Sequence, residues 1–402
     1  MGEVGQCKAR SREEIGIQVG DRMSDTGSLQ RASNLLSGKT TRGPQEPPHR
    51  QGYDRHITTA PIVVFLGAGA SAALGKPMMS EFIKGVRESL PTTAQSVLDA
   101  IIEHRGYDLE DILEDLQAME ALSYVRDFQI EEHPGVPPPI PRDPRTGTGT
   151  IKSNQPAQVR KVLEHQIITT YRSVPADKAV SIYGPFLDNL FSRVIDTLPV
   201  FTTNYDPAIE CLQSEQEYRV VTGFHHLSDG SSCWDRQVFD SYSPKVGRRN
   251  IVLFKLHGFA DWVYDTSRKR ILFSATPLYT FEDEAFQNRL IYPARRKVAI
   301  EDPYATAYDY FQRCCDHAKL LIVIGYSFRD YDALTRLRSS LTRNQDLRCV
   351  YIGPHPETVL DERGLNQDFR PIPYRFGSDA ESLALTVAIS NELDDLDLRR
   401  TT

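Results

Sequence analysis

Five short apolar segments, each followed at once by small or polar residues, constrain the fold of this chain more than any other feature. They occupy residues 61–66, 198–202, 250–255, 319–324 and 348–352. The first, Pro-Ile-Val-Val-Phe-Leu, is apolar on both faces, which is typical of a central parallel strand covered by helices on either side. Stretches with helical patterns separate the segments. We therefore predict an α/β fold with a Rossmann-like, doubly wound and mainly parallel sheet.

By composition, the 402-residue chain divides into an arm and one large domain. Residues 1–56 contain a single aromatic side chain, Tyr53, and cannot bury enough apolar surface to offset the entropy of ordering. We predict that they form a disordered N-terminal arm. We assign residues 57–400 to a single domain that carries a helical insertion at about residues 80–196. The proline-rich residues 133–156 predict a flexible surface loop within this insertion.

One helix of the insertion is clearly amphipathic after Asp108, which can cap its first turn. The apolar side chains that recur at helical spacing are Leu109, Ile112, Leu113, Leu116 and Met119. The acidic side chains on the remainder of the helix are Glu110, Asp111, Glu114 and Asp115. We predict that the apolar set is buried and that the acidic set is a solvated face rather than a metal cluster.

Net charge and the length of the apolar runs argue against two classes of partner. The net charge of -7 and the pI near 5.9 provide no long-range attraction for phosphate backbones, so we expect no direct nucleic-acid binding. The longest apolar runs, residues 61–66 and 320–324, are far shorter than the roughly 20 residues that a membrane-spanning helix needs. We expect a cytoplasmic protein that has no membrane partner.

The six cysteines do not form a pattern typical of disulfides or of a metal site. The sequence contains no Cys-x-x-Cys pair and the spacings are irregular, so we expect reduced thiols. His225, His226 and Cys233 lie near one another in the sequence, but a fourth ligand at suitable spacing is missing. We therefore predict no bound metal.

Four motifs of small and polar residues follow predicted strands. They are Gly67-Ala68-Gly69-Ala70-Ser71-Ala72, Thr202-Thr203-Asn204-Tyr205-Asp206, Lys255-Leu256-His257-Gly258 and Gly325-Tyr326-Ser327. Because the carboxyl ends of parallel strands meet at one edge of the sheet, the motifs should border one ligand-binding crevice. A glycine turn lets the backbone approach a pyrophosphate, and a histidine at a strand end can transfer a proton. Each motif alone also has an ordinary explanation as a turn, a helix cap or a packing site.

In this order, the four motifs resemble those of the sirtuin-like superfamily, in particular the bacterial-type sirtuin-like domains of NAD-depleting immune proteins. The resemblance covers about residues 62–378 and includes Gly75-Lys76-Pro77. A dehydrogenase-type unit would instead end a second strand in an acidic residue about 20 residues further on, where this chain continues with a helical pattern. The resemblance implies an enzyme that consumes NAD as its substrate.

The resemblance also implies roles for individual residues. Those implied to embrace the NAD diphosphate are Gly67, Ala68, Gly69 and Ser71. Asn204 and Asp206 would be catalytic residues beside the nicotinamide ribose, and His257 would be the general base. Thr203 is counted among the NAD-binding residues. The residues implied to meet the adenosine are Gly325 and Ser327 at its ribose, and Gly353, Gly377 and Ser378 near adenine.

The chain departs from the protein-deacylating sirtuins in three respects. Their zinc module, built from two Cys-x-x-Cys pairs, has no counterpart in this sequence. The segment Pro77-Met78-Met79-Ser80-Glu81-Phe82 stands where they carry Asp-Phe-Arg, and Thr203 stands where a Gln commonly precedes the catalytic Asn. These departures argue against acyl-lysine substrates and make water the simplest acceptor. We therefore predict an NAD glycohydrolase (NADase) that forms ADP-ribose and nicotinamide, in anti-phage defence by NAD depletion.

Two other functions stay open. The chain could transfer a group, as an NAD-dependent protein deacylase or ADP-ribosyltransferase, or it could be a non-catalytic sensor of NAD or ADP-ribose. A sensor would bind NAD or ADP-ribose without turnover, whereas the presence of both Asn204 and His257 favours an enzyme. Because an unregulated NADase would kill its own cell, the resemblance leads us to expect a homo-oligomer or a regulatory protein partner.

Overall fold

A computed structural model of the chain describes residues 54–107, 109–128, 155–193, 195–228, 230–273, 286–288, 302–378 and 380–396. The predicted cap at Asp108, residues 1–53 of the predicted arm and residues 133–154 of the predicted loop lie outside these ranges. Arg55 and His56, at the end of the predicted arm, belong to a short helix in which Ile57 is fully buried.

The described strands are β1 (Ile62–Leu66), β2 (Thr197–Thr202), β3 (Tyr218–Val221), β4 (Phe224–His226), β5 (Ser232–Trp234), β6 (Arg249–Lys255), β7 (Trp262–Asp265), β8 (Arg270–Phe273), β9 (Phe286–Asn288), β10 (Leu320–Ile324), β11 (Arg348–Ile352) and β12 (Phe369–Ile372). The described α-helices are α1 (Arg55–Thr58), α2 (Met79–Ser89), α3 (Thr92–Arg105), α4 (Leu109–Phe128), α5 (Gln155–Tyr171), α6 (Ala176–Phe191), α7 (Gln237–Asp240), α8 (Tyr304–His317), α9 (Tyr331–Arg343), α10 (Pro356–Arg363) and α11 (Ser382–Asp394). Short 3-10 helices span Ala68–Leu74 and Glu210–Ser214. All five predicted strands are present, with ends that differ by one residue at most.

Within the described residues, seven strands form one sheet in the order β12-β11-β10-β1-β2-β6-β3, and every neighbouring pair is parallel. Helices cover both faces of this sheet. On β1, Ile62, Val64 and Leu66 pack in the core that includes α6 and α11. Val63 and Phe65 pack in the opposite core, with α8 and α9. The predicted doubly wound α/β fold is confirmed, and burial on both faces explains the continuous apolar run.

The strand order reverses between β1 and β10. From β1 the chain proceeds to β2 on one side, whereas from β10 it proceeds to β11 and β12 on the other. The backbones that leave these two strands are in direct contact, because the Gly69 N–H donates to the Gly325 carbonyl over 2.9 Å. In open α/β sheets the ligand crevice lies at such a reversal, outside the carboxyl ends of the strands.

The predicted helical insertion has an apolar core formed mainly by α2, α3, α4 and α5, which Tyr205 and Ala260 join from the segments after β2 and β6. The predicted apolar set of α4 is confirmed, since Leu109, Ile112, Leu113 and Leu116 are buried and Met119 packs against them. The prediction of a solvated acidic face is wrong for Asp111, which is 5% exposed. Because α4 contacts both α3 and α5, its buried arc is wider than its apolar stripe. Helix α6, although within residues 80–196, packs against the large sheet instead.

A second sheet, with the strand order β4-β5-β8-β7-β9, is antiparallel at every described pairing. Aromatic side chains dominate the small core beside it, which includes Phe259, Trp262 and Tyr304. This sheet was not predicted from the sequence. Its strands are only three or four residues long, too short to show a clear alternating pattern.

The described residues also bear on the expected thiols, metal and membrane behaviour. The described cysteines, Cys211, Cys233, Cys314, Cys315 and Cys349, are free thiols, as predicted. Within the described ranges, no cluster of three or more His, Cys, Asp or Glu side chains is arranged to hold a metal ion. No helix in the same ranges combines the length and apolar character needed to cross a bilayer.

We predict that Gly325→Ala destabilises the protein more than Gly364→Ala. Both glycines have a left-handed backbone, with φ of 59° at Gly325 and 63° at Gly364, so both alanines carry a similar conformational cost of about 1–2 kcal/mol. A Cβ at Gly325 would lie 2.5 Å from the Gly69 Cα, whereas one at Gly364 meets nothing within 4 Å. Urea unfolding should therefore show a further loss of about 1–3 kcal/mol for Gly325→Ala. Equal losses in the two variants would contradict the close backbone contact.

Candidate active site

The four motifs follow four neighbouring strands of the large sheet, in the order β6, β2, β1 and β10. Main-chain hydrogen bonds extend this alignment past the strand ends. The Leu256 N–H donates to the Thr202 carbonyl over 2.8 Å, and the Thr203 N–H donates to the Leu66 carbonyl over 3.2 Å. The Gly67 N–H donates to the Ile324 carbonyl over 2.9 Å. The structure therefore brings all four motifs to one edge of the sheet.

The side chain of Asn204 lies at the centre of a buried polar network. Its Nδ2 donates to the Gly67 carbonyl and to the Ser71 Oγ, both over 2.9 Å. The Ser71 hydroxyl in turn donates to the Asp206 Oδ2 over 2.6 Å, while the Asp206 Oδ1 accepts from the Ala208 N–H. Both Nδ2 hydrogens of Asn204 are thereby used, so its contribution to a ligand would come from Oδ1, which accepts hydrogen bonds. The network fixes the orientation of this amide.

His257 is 4% exposed and lies beside a carboxylate that was not among the predicted site residues. Its Nε2 lies 2.7 Å from the Asp330 Oδ2, and the Tyr308 hydroxyl donates to the same oxygen over 2.5 Å. The other carboxylate oxygen caps α9 by accepting from the Asp332 and Ala333 N–H groups. Burial raises the pKa of the Tyr308 phenol well above its ordinary value, and the Asp330 carboxylate raises it further, so the phenol stays a donor. Asp330 therefore holds one ring nitrogen of His257 in a fixed position.

Lys255, the last residue of β6, is also buried. It lies beside the Asn204 segment, residues 204–210, which follows β2. Its Nζ donates to the Asp206 carbonyl over 2.5 Å and to the Asn204 carbonyl over 3.4 Å. The same ammonium lies 3.2 Å from the Glu210 Oε1. Burial raises the pKa of Glu210 above its ordinary value, and the Lys255 charge opposes this effect. The motif containing Lys255 was singled out from the sequence, but this side chain was not.

Exposure differs between the two ends of the candidate site. Ala68 and Ser327 are exposed, and Gly69 and Gly325 are partly exposed. By contrast, Asn204 is 9% exposed. The strand-end edge is therefore open to solvent at the glycine turn, while the amide and imidazole lie deeper.

The remaining predicted residues occupy the same edge of the sheet. Thr203 is partly exposed. Gly353 follows β11 and is buried, and its N–H donates to the Ile372 carbonyl over 3.2 Å. Gly377 has a φ of 73°, and a Cβ there would lie 2.6 Å from the Ala73 Cβ. Ser378 is partly exposed, and its N–H donates to the Arg375 carbonyl. Of these residues, Gly377 is thus placed against the 3-10 helix that follows the glycine turn.

The helical insertion meets the candidate site at the end of α5. The Lys76 ammonium donates to the Thr170 and Ser173 carbonyls, each over 2.6 Å. Arg172 forms an ion pair with Asp261 at 2.6 Å, four residues beyond His257. Both contacts join the insertion to segments that follow strands of the large sheet.

An open α/β sheet with a polar site at its strand-order reversal defines a Rossmann-type protein. Residues 199–369 match the family model of the SIR2-like domain, so this part of the chain is sirtuin-like. A search of curated proteins found no match.

The fold is also similar to solved structures at low identity. One, described as a Sir2 homolog–NAD complex, is 14% identical with a TM-score of 0.40 over 85% of this chain and 93% of that one. A mutant Sir2 homologue in complex with ADP-ribose is 12% identical with a TM-score of 0.40 over 85% and 97% of the two chains. A Sir2 complex with a p53 peptide and NAD+ is 11% identical with a TM-score of 0.36 over 82% and 92%.

We predict that Asp261→Asn changes how stability depends on pH. Burial raises the pKa of Asp261 from 3.8 to about 6, although Arg172 opposes the effect. Between these pH values the folded state binds more protons than the unfolded chain, so the free energy of unfolding falls as pH rises. Asparagine does not titrate, so the stability of Asp261→Asn relative to the native chain should rise by on the order of 2 kcal/mol from pH 4 to pH 6.

Urea unfolding at several pH values measures this difference. Asp115→Asn is a matched control, because Asp115 also pairs with an arginine, Arg105, but lies in the helical insertion. Parallel pH profiles for the native chain and Asp261→Asn would contradict the raised pKa.

Proposed function

We propose that this protein is an NAD glycohydrolase that cleaves the bond between nicotinamide and ribose, with water as the acceptor. The observation that carries the proposal is the placement of the Asn204 amide and the His257 imidazole past adjacent strands, beside a glycine turn at the strand-order reversal. The match of residues 199–369 to the SIR2-like domain supports NAD as the ligand. The lack of paired Cys-x-x-Cys motifs in the sequence favours water over an acyl-lysine peptide.

The glycine turn suits the diphosphate of NAD. Ala68 is exposed and Gly69 is partly exposed, so a ligand can approach the backbone at this point. Ser327 is exposed past the neighbouring strand β10 and can meet the adenosine ribose. Ser71 fits a different role from direct contact with the diphosphate, because its hydroxyl is engaged by Asn204 and Asp206. We assign Ser71 to the orientation of the Asn204 amide.

The reaction needs little acid catalysis, because nicotinamide in NAD is a cationic leaving group that departs neutral. The site must stabilise a ribose with oxocarbenium character and direct a nucleophile to its anomeric carbon. The Asn204 Oδ1 can accept a hydrogen bond from a ribose hydroxyl or from the attacking water. With Nε2 protonated against Asp330, the lone pair of neutral His257 is on Nδ1, which can take a proton as attack develops.

The biological setting follows from the resemblance and forms part of the proposal. We infer a cytoplasmic enzyme that depletes NAD in anti-phage defence and acts as a homo-oligomer or under a regulatory protein partner. Residues 1–56, as an N-terminal arm, and the helical insertion are the surfaces we assign to such regulation. Incubating the pure chain with NAD at low and at high protein concentration, followed by analysis of the products, tests both the reaction and its dependence on assembly.

We predict that Asn204→Ala and His257→Ala each abolish most nicotinamide release from NAD. Loss of the base should lower kcat by about 10²–10⁴-fold, and loss of the orienting amide by about 10²-fold. Chromatography of the products measures the rates. Asn391→Ala and His317→Ala are matched controls, because both side chains are exposed on helices of the same domain, and they should retain full activity. Full activity of both site variants would remove this mechanism.

We predict that Asp330→Asn lowers kcat by about 10²-fold while leaving the protein folded. Asparagine can still cap α9, but it no longer provides the carboxylate that holds a proton on the His257 Nε2. The rate of nicotinamide release and the melting temperature should therefore respond differently. Asp346→Asn, an exposed substitution beyond α9, is the control. An unchanged kcat in folded Asp330→Asn would show that the pairing with His257 is not needed.

A further inference from the structure

The buried ammonium of Lys255 contacts the main chain on both sides of Tyr205. It donates to the carbonyl of Asn204 and to that of Asp206, the two residues whose side chains belong to the polar network. The side chain of Lys255 is 3% exposed, so these hydrogen bonds are shielded from water. The ammonium thus holds the segment that carries the amide by its backbone.

The same ammonium contacts two further elements around the site. Glu210, at the end of the Asn204 segment and the start of a 3-10 helix, lies 3.2 Å from the Lys255 Nζ. The Phe259 ring, two residues beyond His257, has its centroid 4.7 Å from the Nζ, which allows a cation–π contact. One side chain therefore touches the start and the end of the Asn204–Glu210 segment and also the segment that follows His257.

Burial of an ammonium is costly unless its charge and its donors are satisfied. At Lys255 the carbonyls and Glu210 meet this requirement, and the formal charges of the pair cancel. An apolar side chain of similar length would fill the space without that cost, but it would leave the two carbonyls without this donor. Lysine at this position therefore favours accurate placement of the loop over simple packing.

We propose that Lys255 is a positioning residue, whose ammonium holds the Asn204 amide and the His257 segment in the relative arrangement needed for cleavage of NAD. The proposal rests on the proposed NAD hydrolysis. Lys255 itself transfers no proton and contacts no reacting atom in this scheme. Its effect reaches the reaction through the backbone of Asn204 and Asp206 and through Phe259.

The test compares the full-length chain with Lys255→Met, which keeps most of the length of the side chain and removes its charge and donors. Because small displacements of catalytic groups are costly, kcat for nicotinamide release should fall by roughly 10²-fold. KM for NAD should change by less than about threefold, because the glycine turn is not contacted by this side chain. Lys245→Met, at an exposed lysine, is the control and should match the native chain.

Two further variants separate positioning from simple loss of stability. Lys255→Arg keeps donors for the carbonyls and should recover part of kcat at an unchanged or lower melting temperature. Glu210→Gln removes the ion pair but leaves the carbonyl contacts, so its kcat should lie between those of the native chain and Lys255→Met. If Lys255→Met melts below the assay temperature, Glu210→Gln replaces it as the variant that tests the proposal. A native kcat in folded Lys255→Met, or in Glu210→Gln when only that variant folds, would overturn the proposal.

Amide hydrogen exchange distinguishes failure of this proposal from failure of the proposed function. Residues 203–209 should exchange at least about tenfold faster in Lys255→Met than in Lys245→Met, whether or not NAD is hydrolysed. If the native chain releases no nicotinamide but this exchange difference is present, NAD hydrolysis is wrong and the placement of the loop by Lys255 stands. If the exchange rates are equal, Lys255 does not position the loop.

Discussion

The contact between two glycine-containing turns, one after β1 and one after β10, is the constraint on which the rest of the site depends. A Cβ at Gly67 would lie 2.5 Å from the Tyr326 Cα, and one at Gly69 would lie 2.7 Å from the Gly325 Cα. The turns can meet this closely only because side chains are absent at those points. The position of the first turn then directs the Gly67 carbonyl to the Asn204 amide, which is oriented in its turn. Backbone packing at the strand-order reversal thus determines how the Asn204 amide is oriented.

The large sheet could be predicted because its strands are buried on both faces and read as uninterrupted apolar runs, as in Ile62–Leu66. The glycines were also predicted, but on the argument that a pyrophosphate needs close approach to the backbone. The structure supplies a second reason, the contact between the turns. Both reasons select the same residues, so the sequence could not distinguish them. The order of the strands was not read from the sequence, and the antiparallel sheet gave too short a pattern to detect.

Parts of the candidate site could not be predicted because they depend on contacts between distant residues. In the sequence, Asp330 is only an acidic residue that follows the motif Gly325-Tyr326-Ser327. Its contact with His257 joins the segments that follow β6 and β10. Tyr308 lies inside α8, where the sequence shows an ordinary amphipathic helix. Lys255 is the first residue of its motif and the last residue of β6, yet the carbonyls that it contacts lie past β2. A hydrogen bond to a carbonyl leaves no mark in the residue types, so only the fold could reveal it.

The charges around Asn204 bear on the type of reaction that the site favours. Asp206 accepts from Ser71 and from a main-chain N–H, Asp330 accepts from Tyr308 and lies beside His257, and Glu210 pairs with Lys255. Because each carboxylate is hydrogen-bonded or paired, the deep end of the site can exclude water without leaving a lone charge buried. The carboxylate oxygens of Asp206 and Asp330 and the Asn204 Oδ1 provide hydrogen-bond acceptors at this end of the site. In a buried site, oxygen acceptors act more strongly on a developing positive charge than they would in water. For the NAD hydrolysis that we propose, this arrangement favours departure of nicotinamide ahead of strong bonding to the incoming nucleophile.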